Sequence, residues 1–170
     1  DQEVTVRARQ MFADYAGSRA VPIESSIRDS VVRTAARSAD TTTFEALRRF
    51  LKQADNQEDN YLFGGAMIRV RDPQLVLRIL ELGLTDEWPP SNASWYLRNV
   101  GYYSGHPGLG KDFILKNFEA VQAKASRWGR SWTLPATFAG FNHNKEADQL
   151  LAVQRRLVSD DAMAPAEQIA

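Results

Sequence analysis

Apolar positions recur at three- and four-residue spacing along almost the whole chain, the period of an α-helix rather than a strand. Residues 2–16 form the first such segment, stopped by Gly17-Ser18. After Pro22, the residues Ile23, Ile27, Val31 and Ala35 fall four apart and share one face of a second helix. Thr42 and Glu45 fit a capping box, the hydroxyl accepting from an early amide while the carboxylate reaches back. Phe44, Leu47, Phe50, Leu51 and Ala54 then make the apolar stripe of a third helix, and Asp55-Asn56-Gln57 breaks it. A fourth helix is expected over 58–70, through Leu62, Phe63, Ala66 and Met67.

Asp72-Pro73 is a strong start signal, because Asp caps and Pro loses nothing in a first turn. From Pro73 to Leu84 only Gln74, Arg78, Glu81 and Thr85 interrupt the apolar surface, so this helix should pack on two faces. Trp88-Pro89-Pro90 breaks the chain before a sixth helix over about 92–102. The loop Gly105-His106-Pro107-Gly108 separates it from a seventh, about 109–127, carrying Phe113, Phe118 and Val121. Shorter helices are expected near 132–141, 144–158 and 161–170. There is no alternating strand pattern and no Asn-Gly or Asp-Gly hairpin signal. About ten helices with short connections predict antiparallel pairs, and without exact repeats any solenoid is of the degenerate HEAT- or armadillo-like kind.

At 170 residues and 44% apolar content, the chain suits one domain or one block of a repeat array, and it is too apolar for disorder. Lys plus Arg and Asp plus Glu both number 21, a neutral balance that suits nucleic acid poorly. No apolar run approaches the ~18 residues that cross a bilayer. Without cysteine there is neither a disulfide nor thiol chemistry, and the compartment stays open between cytoplasm and periplasm. The start on Asp1-Gln2-Glu3 and the end on Glu167-Gln168-Ile169-Ala170 lead us to expect a piece of something longer.

The chemistry-bearing residues are sparse. A zincin needs two histidines one turn apart with a nearby base, but His106 and His143 lie far apart and neither has a histidine neighbour. Both read as loop residues. No Gly-x-Ser-x-Gly exists. Gly108-Leu109-Gly110-Lys111 lacks the spacing of a phosphate loop and has no strand before it; a helix start is its ordinary role. Asp160-Asp161 and Glu58-Asp59 sit at expected helix starts, where carboxylates suit the positive end of the dipole. Arg127 and Arg130 flank Trp128-Gly129, as cations near a helix C-terminus commonly do.

The four tryptophans, Trp88, Trp95, Trp128 and Trp132, are first of all core and gap fillers. Trp95, Arg98 and Tyr102 nevertheless fall at three- and four-residue spacing on one helix face. A ring, a guanidinium and a phenol so placed form a candidate peptide-binding surface, with Arg for a carboxylate and the rings for side chains. An ordinary half-buried helix with a snorkelling Arg makes the same pattern, and it is the stronger of the two readings.

An ordered set of segments now carries a resemblance: Ile27-Arg28-Asp29-Ser30-Val31-Val32, Thr43-Phe44-Glu45-Ala46-Leu47, Arg71-Asp72-Pro73-Gln74-Leu75, Lys111-Asp112-Phe113-Ile114-Leu115-Lys116-Asn117-Phe118 and Ala166-Glu167-Gln168-Ile169. Together they resemble the C-terminal helical domain of M1-family zinc aminopeptidases, the puromycin-sensitive and endoplasmic-reticulum type. Phe118 stands where the family shows Trp, which keeps the apolar anchor. The resemblance implies an all-α, right-handed superhelix of HEAT-like antiparallel pairs, with residues 1–170 as a single block in the distal part of that domain. It implies a wall that closes over the catalytic domain of the same polypeptide and binds the distal part of peptide substrates.

The family's zinc ligands, catalytic Glu and proton-donating Tyr lie in an upstream region absent here. No catalytic residue and no metal ligand is therefore assigned, and zinc is expected only in the absent catalytic domain. Neither nucleic acid nor membrane is an expected partner. The alternative is a free-standing helical-repeat module that binds a protein partner; an upstream His-Glu-x-x-His segment in the full gene would decide against it. A small independent enzyme is the weakest reading, because convergent titratable groups are hard to find.

Overall fold

The computed structural model describes residues 2–17, 21–88 and 90–124, with Asp148 and Leu151 beyond them. Among the described residues every regular element is an α-helix: α1 (Gln2–Ala16), α2 (Ser25–Arg37), α3 (Thr41–Gln53), α4 (Gln57–Met67), α5 (Pro73–Gly83), α6 (Pro90–Ser104), α7 (Pro107–Lys116) and α8 (Phe118–Lys124). The all-α expectation holds among the described residues. The helices expected at 132–141, 144–158 and 161–170 lie outside the described residues, which hold eight of the expected ten or so.

Neighbouring helices pack as pairs, α1 on α2, α3 on α4, α5 on α6 and α6 on α7. Contacts that skip one helix, α2 to α4, α5 to α7 and α6 to α8, join one pair to the next. One contiguous core results, running from Ala8 and Phe12 through Phe44, Leu47, Met67 and Leu80 to Ile114 and Val121. Each fully buried side chain of this size stabilises by roughly 1.5–3 kcal/mol. Aromatic rings bind the first pairs together: Phe50 of α3 stacks on Phe63 of α4 at 4.9 Å and meets Phe12 of α1 edge-on at 6.3 Å.

Local chemistry sets the boundaries, in places differently from the sequence reading. Asp72 caps α5 as expected, accepting from the amides of Gln74 and Leu75 at 2.9 and 3.0 Å. The capping box at Thr42 and Glu45 does not form. Asp40 caps α3 instead, accepting from the Thr43 amide at 2.8 Å, where a full negative charge suits the positive dipole end. Glu45 is drawn sideways, to Arg78 of α5 at 2.5 Å and to Arg48 at 3.4 Å. Asn56 caps α4 through the Asp59 amide. That helix stops at Met67, three residues early, where the Arg69 and Val70 amides donate to the Ala66 and Met67 carbonyls in i→i+3 turns ahead of Asp72-Pro73.

The expected helix over 109–127 is broken at Asn117. Its side-chain amide donates to the Phe113 carbonyl at 2.9 Å, competing for a ladder acceptor, and α8 restarts at Phe118. On α2 the buried stripe is Val31, Val32, Ala35 and Ala36, while Ile27 is 39% exposed. Arg28 takes the place beside α1 and α4 instead: it lies over the rings of Tyr15 and Phe63, at 5.9 and 5.6 Å, and pairs with Asp59 at 2.7 Å. The nearly all-apolar α5 does pack on two sides, against α6 and α7, with Gln74, Glu81 and Thr85 exposed.

Candidate functional site

Helix α6 positions the candidate residues, and its seat is fixed by close contact with α4 and α5. Tyr96 is fully buried and donates to the Asn60 carbonyl at 2.9 Å. Burial pushes its hydroxyl up to about 12. Its ring lies so near Gly64 that a β-carbon there would stand 2.2 Å from the hydroxyl oxygen. Leu97 similarly covers Gly83, and Gly101 lies against Gly110 of α7. Asn92 donates to Asn60 at 2.8 Å from within the helix.

With the inner face so occupied, the outer face carries the rings. Tyr102 is 67% exposed, Tyr103 38% and Trp95 36%. Trp95 stands edge-on to Tyr96 at 5.3 Å and lies 6.4 Å from Tyr103, which in turn meets Tyr102 edge-on at 5.3 Å. At ~100° per residue, Tyr102 lies within ~20° of Trp95 around the helix, whereas Arg98 and Tyr103 flank that line about 140° apart. The predicted trio therefore shares a face, with Arg98 at its edge. Arg98 is half-buried and makes no ion pair among the described residues; burial alone holds its guanidinium below the usual arginine range.

The opposite flank holds residues that the sequence reading missed. The Arg69 guanidinium, from the turn after α4, lies over the Tyr103 ring at 4.4 Å and donates to the Gly65 carbonyl. Arg33 of α2 reaches the same glycine, its Nη1 3.1 Å from where a β-carbon on Gly65 would stand, and its Nε bridges both Asp29 oxygens at 2.7 Å. Arg69 sits below the usual arginine range, through burial first and then through the neighbouring Arg33 and Arg37. A sequence signal existed only for Tyr103, two turns beyond Trp95; nothing in the spacing joins Arg33 to Arg69.

His106 has its ring engaged within the chain. It precedes α7 and donates from Nε2 to the Arg71 carbonyl at 2.8 Å, tying the α6–α7 loop to the turn before α5. Gly105, at φ 83°, supplies the left-handed turn that lets α6 end there. Gly108-Leu109-Gly110-Lys111 lies inside α7, as a helix start. His143, Trp128, Trp132, Arg127, Arg130 and Asp160-Asp161 lie outside the described residues. Among the described residues no group of three His, Cys, Asp or Glu side chains could hold a metal ion, and no helix is long and apolar enough to cross a membrane.

Fold and surface together define a helical packing domain with an exposed aromatic face bordered by guanidinium groups. Its family is shown directly: the chain belongs to the ERAP1-like C-terminal domain family, whose model matches residues 1–164. The family is the C-terminal part of aminopeptidase-like proteins, in line with the resemblance read from the ordered segments. A comparison with curated proteins gave no match.

Proposed function

We propose that this chain is the distal part of the C-terminal domain of an M1 zinc aminopeptidase. In this reading its helix pairs continue a HEAT-like right-handed superhelix that walls the substrate chamber, closes over the catalytic domain and helps bind peptides. Zinc and the bond-breaking groups belong to that catalytic domain, on the same polypeptide. The role left to this chain is holding the part of a peptide that trails away from the cut.

The observation that carries the peptide-binding part is the row of large rings that α6 leaves uncovered, Trp95, Tyr102 and Tyr103. Rings of this kind give wide contact area with few rotatable bonds, so they hold a chain at little entropic cost. A peptide enclosed against them also displaces water from apolar surface. Arg98, at the edge of the row, meets no opposing charge among the described residues and can take a carboxylate from the peptide.

The test compares long and short substrates in the full-length protein. Trp95→Ala and Arg98→Ala should each raise KM for peptides of about ten residues several-fold more than KM for an aminoacyl-arylamide, which does not reach this far. Equal effects on both substrates would remove these residues from the proposed role.

A further inference from the structure

We infer that the domain bends at a seam between α1–α4 and α5–α8. The Tyr96–Gly64 contact is the pivot, and an ionic clasp of Glu45, Arg48, Arg78 and Glu87 holds α3 to α5 and the turn after it. The bend lies inside the domain and does not depend on what the aromatic row binds.

Packing is uneven along the stack. Among the described residues, every pair of helices whose backbones pack closely along their length lies within α1–α4 or within α5–α8. Across the seam, side chains carry the contact. In a stack each helix pair touches only its neighbours, so a weak junction is not braced from further away.

The two sides of the seam differ in kind. Between α4 and α6 the contact is close and uncharged. The buried Tyr96 lies on Gly64 and donates to the Asn60 carbonyl at 2.9 Å, and Asn92 donates to the Asn60 side chain at 2.8 Å. His106 adds a tether to the Arg71 carbonyl, in the turn that joins the halves. Separating this side would wet a buried ring and break its hydrogen bond. Between α3 and α5, charges do the holding. Arg48 meets Glu87 through two bonds of 2.5 and 2.7 Å. Arg78 meets Glu45 at 2.5 Å and covers the Phe44 ring at 4.9 Å, while Glu45 also reaches Arg48 at 3.4 Å. All four charged side chains keep 24–43% of their surface in water. Pairs this exposed contribute little each, because water takes over both partners when they part.

One side is therefore hard to separate and the other easy, which is the arrangement of a hinge. Trp95, Tyr102 and Tyr103 all ride on α6, so opening the clasp turns the whole row relative to α1–α4. The clasp sets the curvature of the stack.

Single-molecule energy transfer in the full-length protein tests this, well below the melting transition. One donor–acceptor pair, attached through noncanonical residues, would sit at Thr42 of α3 and Gln74 of α5, both exposed and each the second residue of its helix. A second pair, at Thr42 and the exposed Glu58 of α4, stays within one half. Glu45→Gln combined with Glu87→Gln should raise the ratio of open to closed α3–α5 distances about tenfold, the combined effect of three half-exposed ion pairs. The α3–α4 distances should not move. Salt at about 1 M should open the parent in the same way and add little to the double variant. A clasp that contributes stability alone would lower the melting temperature and leave the α3–α5 distances of the folded protein as they were. That result overturns the proposal, as does equal broadening at both label pairs.

Discussion

Replacing Gly64 by alanine tests a close contact between α4 and the Tyr96 ring, one that seats α6. A β-carbon at this position would lie 2.2 Å from the Tyr96 hydroxyl oxygen, 2.3 Å from Cζ and 2.8 Å from Cε2, all far inside contact distance. Tyr96 has little room to retreat. It is fully buried, edge-on to Trp88 at 4.9 Å and to Trp95 at 5.3 Å, and bonded to the Asn60 carbonyl at 2.9 Å. Overpacking of this kind costs about 1–3 kcal/mol. Losing the tyrosine hydrogen bond adds about 1 kcal/mol, and alanine's better helix propensity offsets about 1 kcal/mol.

The net loss is therefore roughly 1–3 kcal/mol, or a thermal midpoint lower by roughly 3–9 °C for a chain of this size. Far-ultraviolet circular dichroism melts would read it. Tyr96→Leu in the same background should recover part of the loss, because it withdraws the atoms that clash; the two changes would then couple rather than add. A Gly64→Ala protein that melts at or above the parent temperature, or costs that simply sum, would refute the reasoning.

Asp72→Ala should destabilise by about 1 kcal/mol, since one side chain satisfies two first-turn amides of α5, and a lowered urea midpoint would show it. Glu87 hydrogen-bonds Arg48 at 2.5 and 2.7 Å, and that contact holds its carboxyl below the usual glutamate range. A folded value below the unfolded one means the stabilisation is present above the ordinary glutamate pKa, about 4.3, and is lost as pH falls through the folded value. Urea midpoints measured from neutral pH down to about 3 should therefore fall less steeply for Glu87→Gln than for the parent; parallel curves would refute the linkage.

Helix content was legible because it rests on local signals. Asp72-Pro73 marks the start of α5 whatever surrounds it, and the stripe of Phe44, Leu47 and Leu51 buries as its period predicts. The misses came where a distant partner changed the local choice. Glu45 would complete a capping box in an isolated helix, but Arg78 and Arg48 claim it. Ile27 belongs to an apolar stripe by spacing, yet Arg28 fills the place between α1 and α4. Asn117 looks tolerable within a helix until its side chain takes the Phe113 carbonyl.

The candidate surface divides in the same way. Trp95, Arg98 and Tyr102 could be placed on one face of α6 from spacing alone, because a helix repeats every 3.6 residues whatever it packs against. Which face that was, buried or open, depended on Tyr96 and Leu97 closing over Gly64 and Gly83 on neighbouring helices. The guanidinium cluster was settled by tertiary structure alone. Arg33 stands on α2 and Arg69 in the turn after α4, and only the packing of α2 on α4 brings both to Gly65. Sequence periodicity fixes what happens within a few turns of one helix; contacts between residues far apart in the chain form only when the helices pack.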